Sequence, residues 1–247
     1  MQTILHENAS PSQNAHGQPI GSPVPDWTPH ALPSRTPMKG TRCDVVILDP
    51  AGHVDDLWEA FQTDPNGRNW TYLFVDMPAS REALRAYLDV QAKNSDPLCH
   101  TIIDRANGRA VGIASFMRID PKMGVIEVGN INYSERLKRT AVATEVMFLM
   151  MKRVFDELGY RRYEWKCDSL NHPSRKAAER YGFVYEGTFR QAVTYKGRNR
   201  DTAWFSILDK EWPMLKRAYE TWLDPGNFDA QGAQRSGLAE LVKEAKR

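Results

Sequence analysis

The sequence predicts an α+β domain built on one central, mixed but mostly antiparallel twisted sheet flanked by helices. Three patterns carry this prediction. Strand candidates at 100–104, 110–118 and 124–133 follow one another across the turn signals Asn107-Gly108 and Asp120-Pro121. A long amphipathic helix comes next, over about 140–158. In it Val142, Val146, Met150, Val154 and Leu158 recur every four residues, and Gly159 supplies the stop. A strand at 162–168 then makes a strand–helix–strand crossover within an order otherwise linked by turns.

The remaining elements fit around this centre. Residues 1–40 are rich in Pro, Ser, Gly and Asn and read as an extended arm, with disorder expected over the first ~18 residues. Trp27 and Leu32 suggest that part of the arm lies against the domain. The globular pattern, taken as one domain over 41–223, begins with the strand Asp44-Val45-Val46-Ile47-Leu48 and the turn Asp49-Pro50-Ala51-Gly52. Helices are expected near 53–63 and 79–93, the second capped by Ser80 with Ala83, Leu84, Tyr87 and Leu88 on its apolar face. The aromatic run Trp70-Thr71-Tyr72-Leu73 is a loop between them. After the crossover come a short helix at 173–181, strands at 183–194 and 200–208, and an amphipathic helix at 210–223. The tail over 224–247 is polar, with one short helical candidate at 237–245.

Bulk properties exclude several classes. A chain of 247 residues can bury a substantial core. The net charge of +2 gives no global field favouring nucleic acid or an anionic membrane surface. Cys43, Cys99 and Cys167 lack CxxC spacing, which argues against a disulfide framework or a cysteine zinc site, and no metal is expected. No apolar run approaches the ~20 residues of a membrane span. The N-terminus lacks a signal-peptide layout, so the expected location is cytoplasmic.

The chemistry concentrates between Ile126 and Phe183. The strand through Glu127, Gly129, Asn130 and Ile131 runs by way of Arg136, Leu137, Lys138 and Arg139 into the long helix. The first N–H groups of that helix lack internal partners, and the macrodipole adds partial positive charge there. With basic residues just upstream, this end suits a phosphate; a solvated basic loop before a core helix is the plainer alternative. Downstream, Glu164-Trp165-Lys166-Cys167-Asp168 is followed by Asn171-His172-Pro173-Ser174 and then by Glu179-Arg180-Tyr181-Gly182-Phe183.

The Asn171-x-x-Ser174 turn with Gly182-Phe183 beyond it resembles the second half of the GNAT N-acetyltransferase core. So does Arg136-x-x-Arg139-x-Ala141 followed by Ala143-Thr144-Glu145. The likeness covers about Arg42 to Trp212, and narrows toward the ribosomal-protein-alanine acetyltransferases (the RimJ/RimL type). It implies acetyl-CoA as co-substrate and an amine as acceptor, with a homodimer compatible. It implies a pyrophosphate site at Arg136, Lys138, Arg139, Thr140, Ala141, Val142, Ala143 and Thr144, with Asn171 and Ser174 also at the cofactor. Arg139 stands where the family usually has glycine, so its side chain must point away from the cofactor.

The resemblance also implies a bulge on the strand before the loop, for which Gly129-Asn130 is a good site. A backbone N–H near Asn130 or Ile131 would then polarise the thioester carbonyl. Ser174 resembles the family serine that hydrogen-bonds the coenzyme sulfur; a helix-start hydroxyl is the alternative. The family's tyrosine acid falls at Ala178 and its strand glutamate at Val193, so neither role transfers. Glu127 is the best remaining base, acting through water, with an ion-paired strand residue as its alternative. Asp201 is a weaker candidate. Trp70 and Tyr72 are candidates to line the acceptor pocket, against core packing. The runner-up to an active enzyme is a catalytically weak acyl-CoA-binding regulatory protein on the same fold.

Overall fold

The computed structural model describes residues 12–245, so the expectation of disorder over residues 1–11 lies outside the described residues. From Ser12 the arm is already shaped. β1 (Ser12–Gln13) and β2 (Pro19–Ile20) form a small antiparallel ribbon. The Asn14 side-chain oxygen closes it by accepting from the N–H groups of His16 (2.9 Å) and Gln18 (3.0 Å). Further along, the arm straps the domain. The Trp27 indole donates to the Lys122 carbonyl (2.9 Å), and the Tyr160 hydroxyl donates to the Ala31 carbonyl (3.0 Å). The buried Arg153 guanidinium donates to the Ser34 and Thr36 carbonyls, both at 3.2 Å. A buried guanidinium needs acceptors, and the arm backbone supplies them.

The domain proper follows the predicted order. β3 (Met38–Lys39) and β4 (Cys43–Ile47) lead to α1 (Pro50–Phe61) and α2 (Arg81–Lys93). Then come β5 (Leu98–Asp104), β6 (Arg109–Asp120) and β7 (Val125–Tyr133). The crossover helix α3 (Ala141–Lys152) connects to β8 (Arg162–Asp168), followed by α4 (His172–Arg180). β9 (Val184–Tyr195), β10 (Arg198–Leu208), α5 (Trp212–Leu223) and α6 (Leu238–Ala245) complete the chain.

Two boundaries differ from expectation for identifiable reasons. α1 starts at Pro50, within the expected turn, because Asp49 caps the helix through Ala51 N–H (3.0 Å) and proline suits the first turn. The predicted helix at 140–158 is α-helical only to Lys152; residues Arg153–Glu157 form a π turn. That turn carries the buried Arg153, Val154 and Phe155.

One sheet holds β3-β4-β5-β6-β7-β8-β10-β9 in that order. Every pairing is antiparallel except β7 with β8, which the α3 crossover makes parallel. Alternation along the strands divides the core between two faces. Leu98, Ile102, Phe116, Val128, Tyr163, Trp165 and Phe205 pack with α3–α6, whereas Cys99, Ile113 and Ile103 pack with α1 and α2. α1 and α2 lie over β5 and β6.

One buried carboxylate ties α3 to the edge of the sheet. Glu145 accepts from the Thr41 hydroxyl (2.6 Å) and from the N–H groups of Thr41 (3.1 Å), Arg42 (2.7 Å) and Cys43 (2.8 Å). Burial alone would raise its pKa, but these donors outweigh it and hold the carboxyl below its ordinary value. A depressed carboxyl pKa contributes stability that is present above the unfolded value, near pH 4.3, and is lost as pH falls through the folded one. Replacing Glu145 with Gln is therefore expected to destabilise the fold by about 1–3 kcal/mol at pH 7. In urea unfolding series the gap between wild type and variant should narrow below about pH 4.

Candidate active site

The β7–β8 ladder runs from Val125↔Arg162 to Val128↔Trp165 and ends there. β7 continues to Tyr133 paired only with β6, and β8 continues to Asp168 paired only with β10. The two parallel strands thus splay toward their C-terminal ends, and the loops that follow both strands begin at that same end of the sheet. A crevice outside the carboxyl ends of parallel strands is a common ligand site in sheets of this kind.

The splay coincides with a bulge. β7 places both Asn130 and Ile131 between the pairs Ser115↔Gly129 and Ile113↔Asn132, where β6 has Ala114 alone. The left-handed residue of the bulge is Asn130 (φ 49°), a residue type that tolerates this region. Gly129 serves packing instead, since a Cβ there would collide with Met117 Sδ. From Gly129 onward the β7 backbone has no strand partner on its β8 side among the described residues.

The loop after β7 turns through Ser134, which accepts from the N–H groups of Leu137 and Lys138 (both 3.0 Å), and then enters α3. Thr140 caps the helix by accepting from Ala143 N–H (3.2 Å). The Ala141 and Val142 N–H groups receive no cap among the described residues, and Thr144 is buried just behind them. Arg139 adopts φ 62°, the left-handed conformation that glycine would supply, and its side chain is exposed. Of the other basic residues, Arg136 lies 3.9 Å from Glu59 and Lys138 lies 2.8 Å from Glu135. Lys138 also bonds the Asn69 side chain, which links this loop to the segment following α1.

Across the splay, Asn171 caps α4 by accepting from Ser174 N–H (3.1 Å). The half-buried Ser174 hydroxyl accepts from the Trp165 indole (3.0 Å) and has its one proton left to donate, with the Cys167 sulfur as its neighbour within the protein. Burial pushes the Cys167 thiol pKa up, partly offset by a hydrogen bond from Ser174. The structure therefore brings Asn130, Ile131, residues 139–144, Asn171 and Ser174 to one end of the sheet.

Glu127 lies on the sheet face opposite α3, in a buried charge cluster. Lys166 sits between its carboxylate (2.9 Å) and that of Glu164 (2.6 Å), and Arg118 reaches Glu127 at 3.3 Å. Burial raises the Glu127 pKa, against the opposing pull of Lys166 and Arg118. The Lys166 ammonium lies 3.8 Å from the Trp204 ring centre. The ion-paired alternative for Glu127 is thus present in the geometry.

The two aromatic candidates separate. Trp70 is 2% exposed and packs edge-on against Phe61 and Tyr87 in the α1–α2 core, the arrangement of the core-packing alternative. A large ring in a short connection fills the space between two helices, and burial outweighs its loop position. Tyr72 is half-buried, and its hydroxyl donates to the Leu170 carbonyl (3.2 Å), next to Asn171. Asp201 serves the backbone: it accepts from Gln191 N–H (2.8 Å) and Asn199 (3.0 Å), closing a β9 bulge.

A concavity of about 200 Å³ opens on the uncovered face of β9 and β10, lined among others by Phe74, Arg118, Phe189, Arg200 and Trp204. Sequence reading did not single out these residues. The available signal was alternation in β10, where Arg200, Thr202, Trp204 and Ser206 alternate with the core residues Ala203, Phe205 and Ile207.

A splayed parallel pair, a bulge on its inner strand and an uncapped helix start at its mouth form the cleft of an acetyltransferase-type fold. The chain belongs to the GNAT acetyltransferase family, whose acetyltransferase (GNAT) domain matches residues 46–184. A GCN5-related N-acetyltransferase from Brucella melitensis has 47% sequence identity and a TM-score of 0.87, over 89% of this chain and all of that one. A GNAT-family acetyltransferase structure from Chromobacterium violaceum has 35% identity and a TM-score of 0.73, over 79% of this chain and 98% of that one. An acetyl transferase from Salmonella typhimurium that modifies the N-terminal serine of ribosomal protein L7/L12 shares the fold at 19% identity and a TM-score of 0.60, over 70% and 99% of the two chains. The family resemblance and the mixed, mostly antiparallel sheet expected from the sequence both hold.

The charge cluster makes a stability prediction. Lys166→Met leaves two buried carboxylates short of a cation and should cost about 3–5 kcal/mol. Without Lys166, the Glu127 carboxyl, already raised by burial, loses its main opposing cation, and a raised carboxyl loses stability as pH rises through the folded value. Urea unfolding should therefore show a larger deficit for Lys166→Met at pH 8 than at pH 5.

Proposed function

We propose that the protein is an acetyl-CoA-dependent N-acetyltransferase that places the acetyl group on a primary amine by direct attack. The observation that carries this reading is the splay between β7 and β8, with the uncapped Ala141 and Val142 N–H groups and Ser174 on its two sides. Bound acetyl-CoA supplies the activated acyl group and a thiol leaving group.

The chain's own residues divide the remaining work. The α3 start, from Arg139 through Thr144, offers N–H donors and the positive helix end to the pyrophosphate, with Arg136 and Lys138 adding charge. The free side of β7 from Gly129 offers backbone groups to the pantetheine amides in the manner of an added strand. A backbone N–H at Asn130 or Ile131 holds the developing oxyanion. Asn171 positions Ser174, whose hydroxyl proton serves the departing sulfur. Glu127, with its raised proton affinity, takes the amine proton through water. Tyr72 borders the acceptor side.

Residues 41–223 are the catalytic unit in this reading, and the three unpaired, buried cysteines fit a reducing, cytoplasmic setting. None of the described helices is long and apolar enough to cross a membrane.

Calorimetry with acetyl-CoA, followed by thiol release over a panel of amines, tests the proposal. Saturable binding and amine-dependent release are expected; absence of binding at millimolar cofactor sinks it. Binding without turnover on any amine favours a regulatory acyl-CoA-binding protein.

Ser174→Ala should retain cofactor binding and lower kcat by roughly 10²-fold. Glu127→Gln should abolish the acidic limb of the kcat/KM profile, because a base is active only above its pKa. An unaltered limb assigns Glu127 to the ion-pair cluster alone.

A further inference from the structure

The concavity on the uncovered face of β9 and β10 has walls of one character. Phe74, Phe189 and Trp204 supply aromatic surface, and Phe189 stacks on Trp204 with ring centres 4.6 Å apart. Its polar side chains include two guanidiniums. Arg118 is shared with Glu127 at 3.3 Å. Arg200 is different: it is 9% exposed, and no carboxylate lies within ion-pair distance of it among the described residues.

The surroundings of Arg200 account for only part of its charge. Its Nε donates to the Thr202 hydroxyl (3.2 Å), and its guanidinium lies over Phe74 (5.5 Å) and Tyr195 (6.0 Å). Its terminal amino groups have no acceptor among the described residues. The neighbouring Asp168 carboxylate accepts from the Tyr195 hydroxyl and the Leu170 N–H (both 2.9 Å) and lies beyond ion-pair distance of Arg200. The Trp204 indole N–H is also buried without an acceptor. The unmatched polar groups here are therefore donors. A buried cation without a counter-charge is costly, and the aromatic faces over Arg200 offset it only partly.

The concavity also lies on the acceptor side of the proposed chemistry. Thr202, in its wall, pairs with Asp168 at the end of the splayed strand β8, and Trp204 covers Lys166 of the Glu127 cluster. Tyr72 and Phe74 come from one loop. That loop is fixed over the hairpin by Lys196, which donates to the Trp70 carbonyl (2.8 Å) and pairs with Asp76 (2.9 Å). At about 200 Å³ the space suits a compact group.

We infer that this concavity is the acceptor pocket and that Arg200 binds a carboxylate carried by the acceptor amine, with the aromatic walls holding its apolar body. The inference rests on the acetyltransferase reading for the word acceptor, but not for the binding of the carboxylate. The chemistry is met by a free aromatic amino acid or by a peptide N-terminus with an acidic residue close behind it.

Paired acceptors test this: phenylalanine against phenethylamine, tryptophan against tryptamine, and amidated peptides with Glu or Gln at the second position. The carboxylate-bearing member of at least one kind of pair should have the higher kcat/KM, by about 10- to 100-fold, chiefly through KM. A preference in the amino-acid pairs or in the peptide pair identifies the source; equal values in all pairs overturn the pocket. Arg200→Met should remove the discrimination, and Arg200→Lys, which keeps charge but loses the planar fork, should retain part of it.

A readout free of turnover separates the two readings. Phenylacetate should bind the cofactor-free protein in calorimetry, and Arg200→Met should abolish that binding while acetyl-CoA still binds the variant. Phenylacetate binding without acetyl transfer leaves the carboxylate site standing and the enzyme reading fallen; transfer without carboxylate preference does the reverse. Should Arg200→Met fail to fold, Phe189→Ala on the exposed rim is the second probe. It should weaken phenylacetate by a few-fold, and unchanged affinity there overturns the assignment.

Discussion

The structure turns on the place where one ladder stops. β7 and β8 are the parallel pair of the sheet, and they pair only as far as Val128↔Trp165. Each strand is secured on its other side, β7 by β6 and β8 by β10, so neither can shift to close the gap. The bulge at Asn130 and Ile131 bends β7 where its partner is lost, as an extra residue in one strand does. Parallel pairing sets the C-terminal ends of both strands at the same end of the sheet. The helix starts that follow, at Thr140 and Asn171, therefore face a common mouth. An uncapped α3 N-terminus and the Ser174 hydroxyl meet there because of strand geometry.

The two sheet faces then carry different burdens. The face under α3–α6 is apolar, and it holds the splay rigid through Tyr163, Trp165 and Phe205. Glu145 adds a polar anchor, joining α3 to the turn before β4. The opposite face, beyond the cover of α1 and α2, carries Glu127, Glu164 and Lys166 in mutual contact. Buried charge of this kind contributes little net stability, and its removal in part is costly. Its value lies in what it positions: an aromatic and cationic surface on β10, with Trp204 over Lys166 and Arg200 beyond.

Local chemistry decided much of this in the sequence. Turn signals and four-residue recurrence located the strands and the crossover helix, because hydrophobic period and turn preference are short-range properties. The Asn171 cap and the proline after His172 set the start of α4 for the same reason. Arg139 marks where local expectation needed refinement. The arginine takes the left-handed backbone that the family's glycine would take, so the loop keeps its course at a modest conformational cost.

What depends on distant parts of the chain was not legible in this way. Trp70 lies in a loop by sequence but in a core by structure, because Phe61 and Tyr87 come together around it only when α1 and α2 pack. The arm's anchorage required Arg153, which sits far along the chain and needed acceptors. The Glu127 cluster and the unpaired Arg200 arise from side-by-side placement of β7, β8, β10 and the loop carrying Phe74. The sequence alone determined the family, the order of elements and the positions flanking the cleft, since these follow from residue type and short spacing. Only the tertiary structure decided which charges are matched and which are left for a ligand, because that depends on distances between residues far apart in the chain.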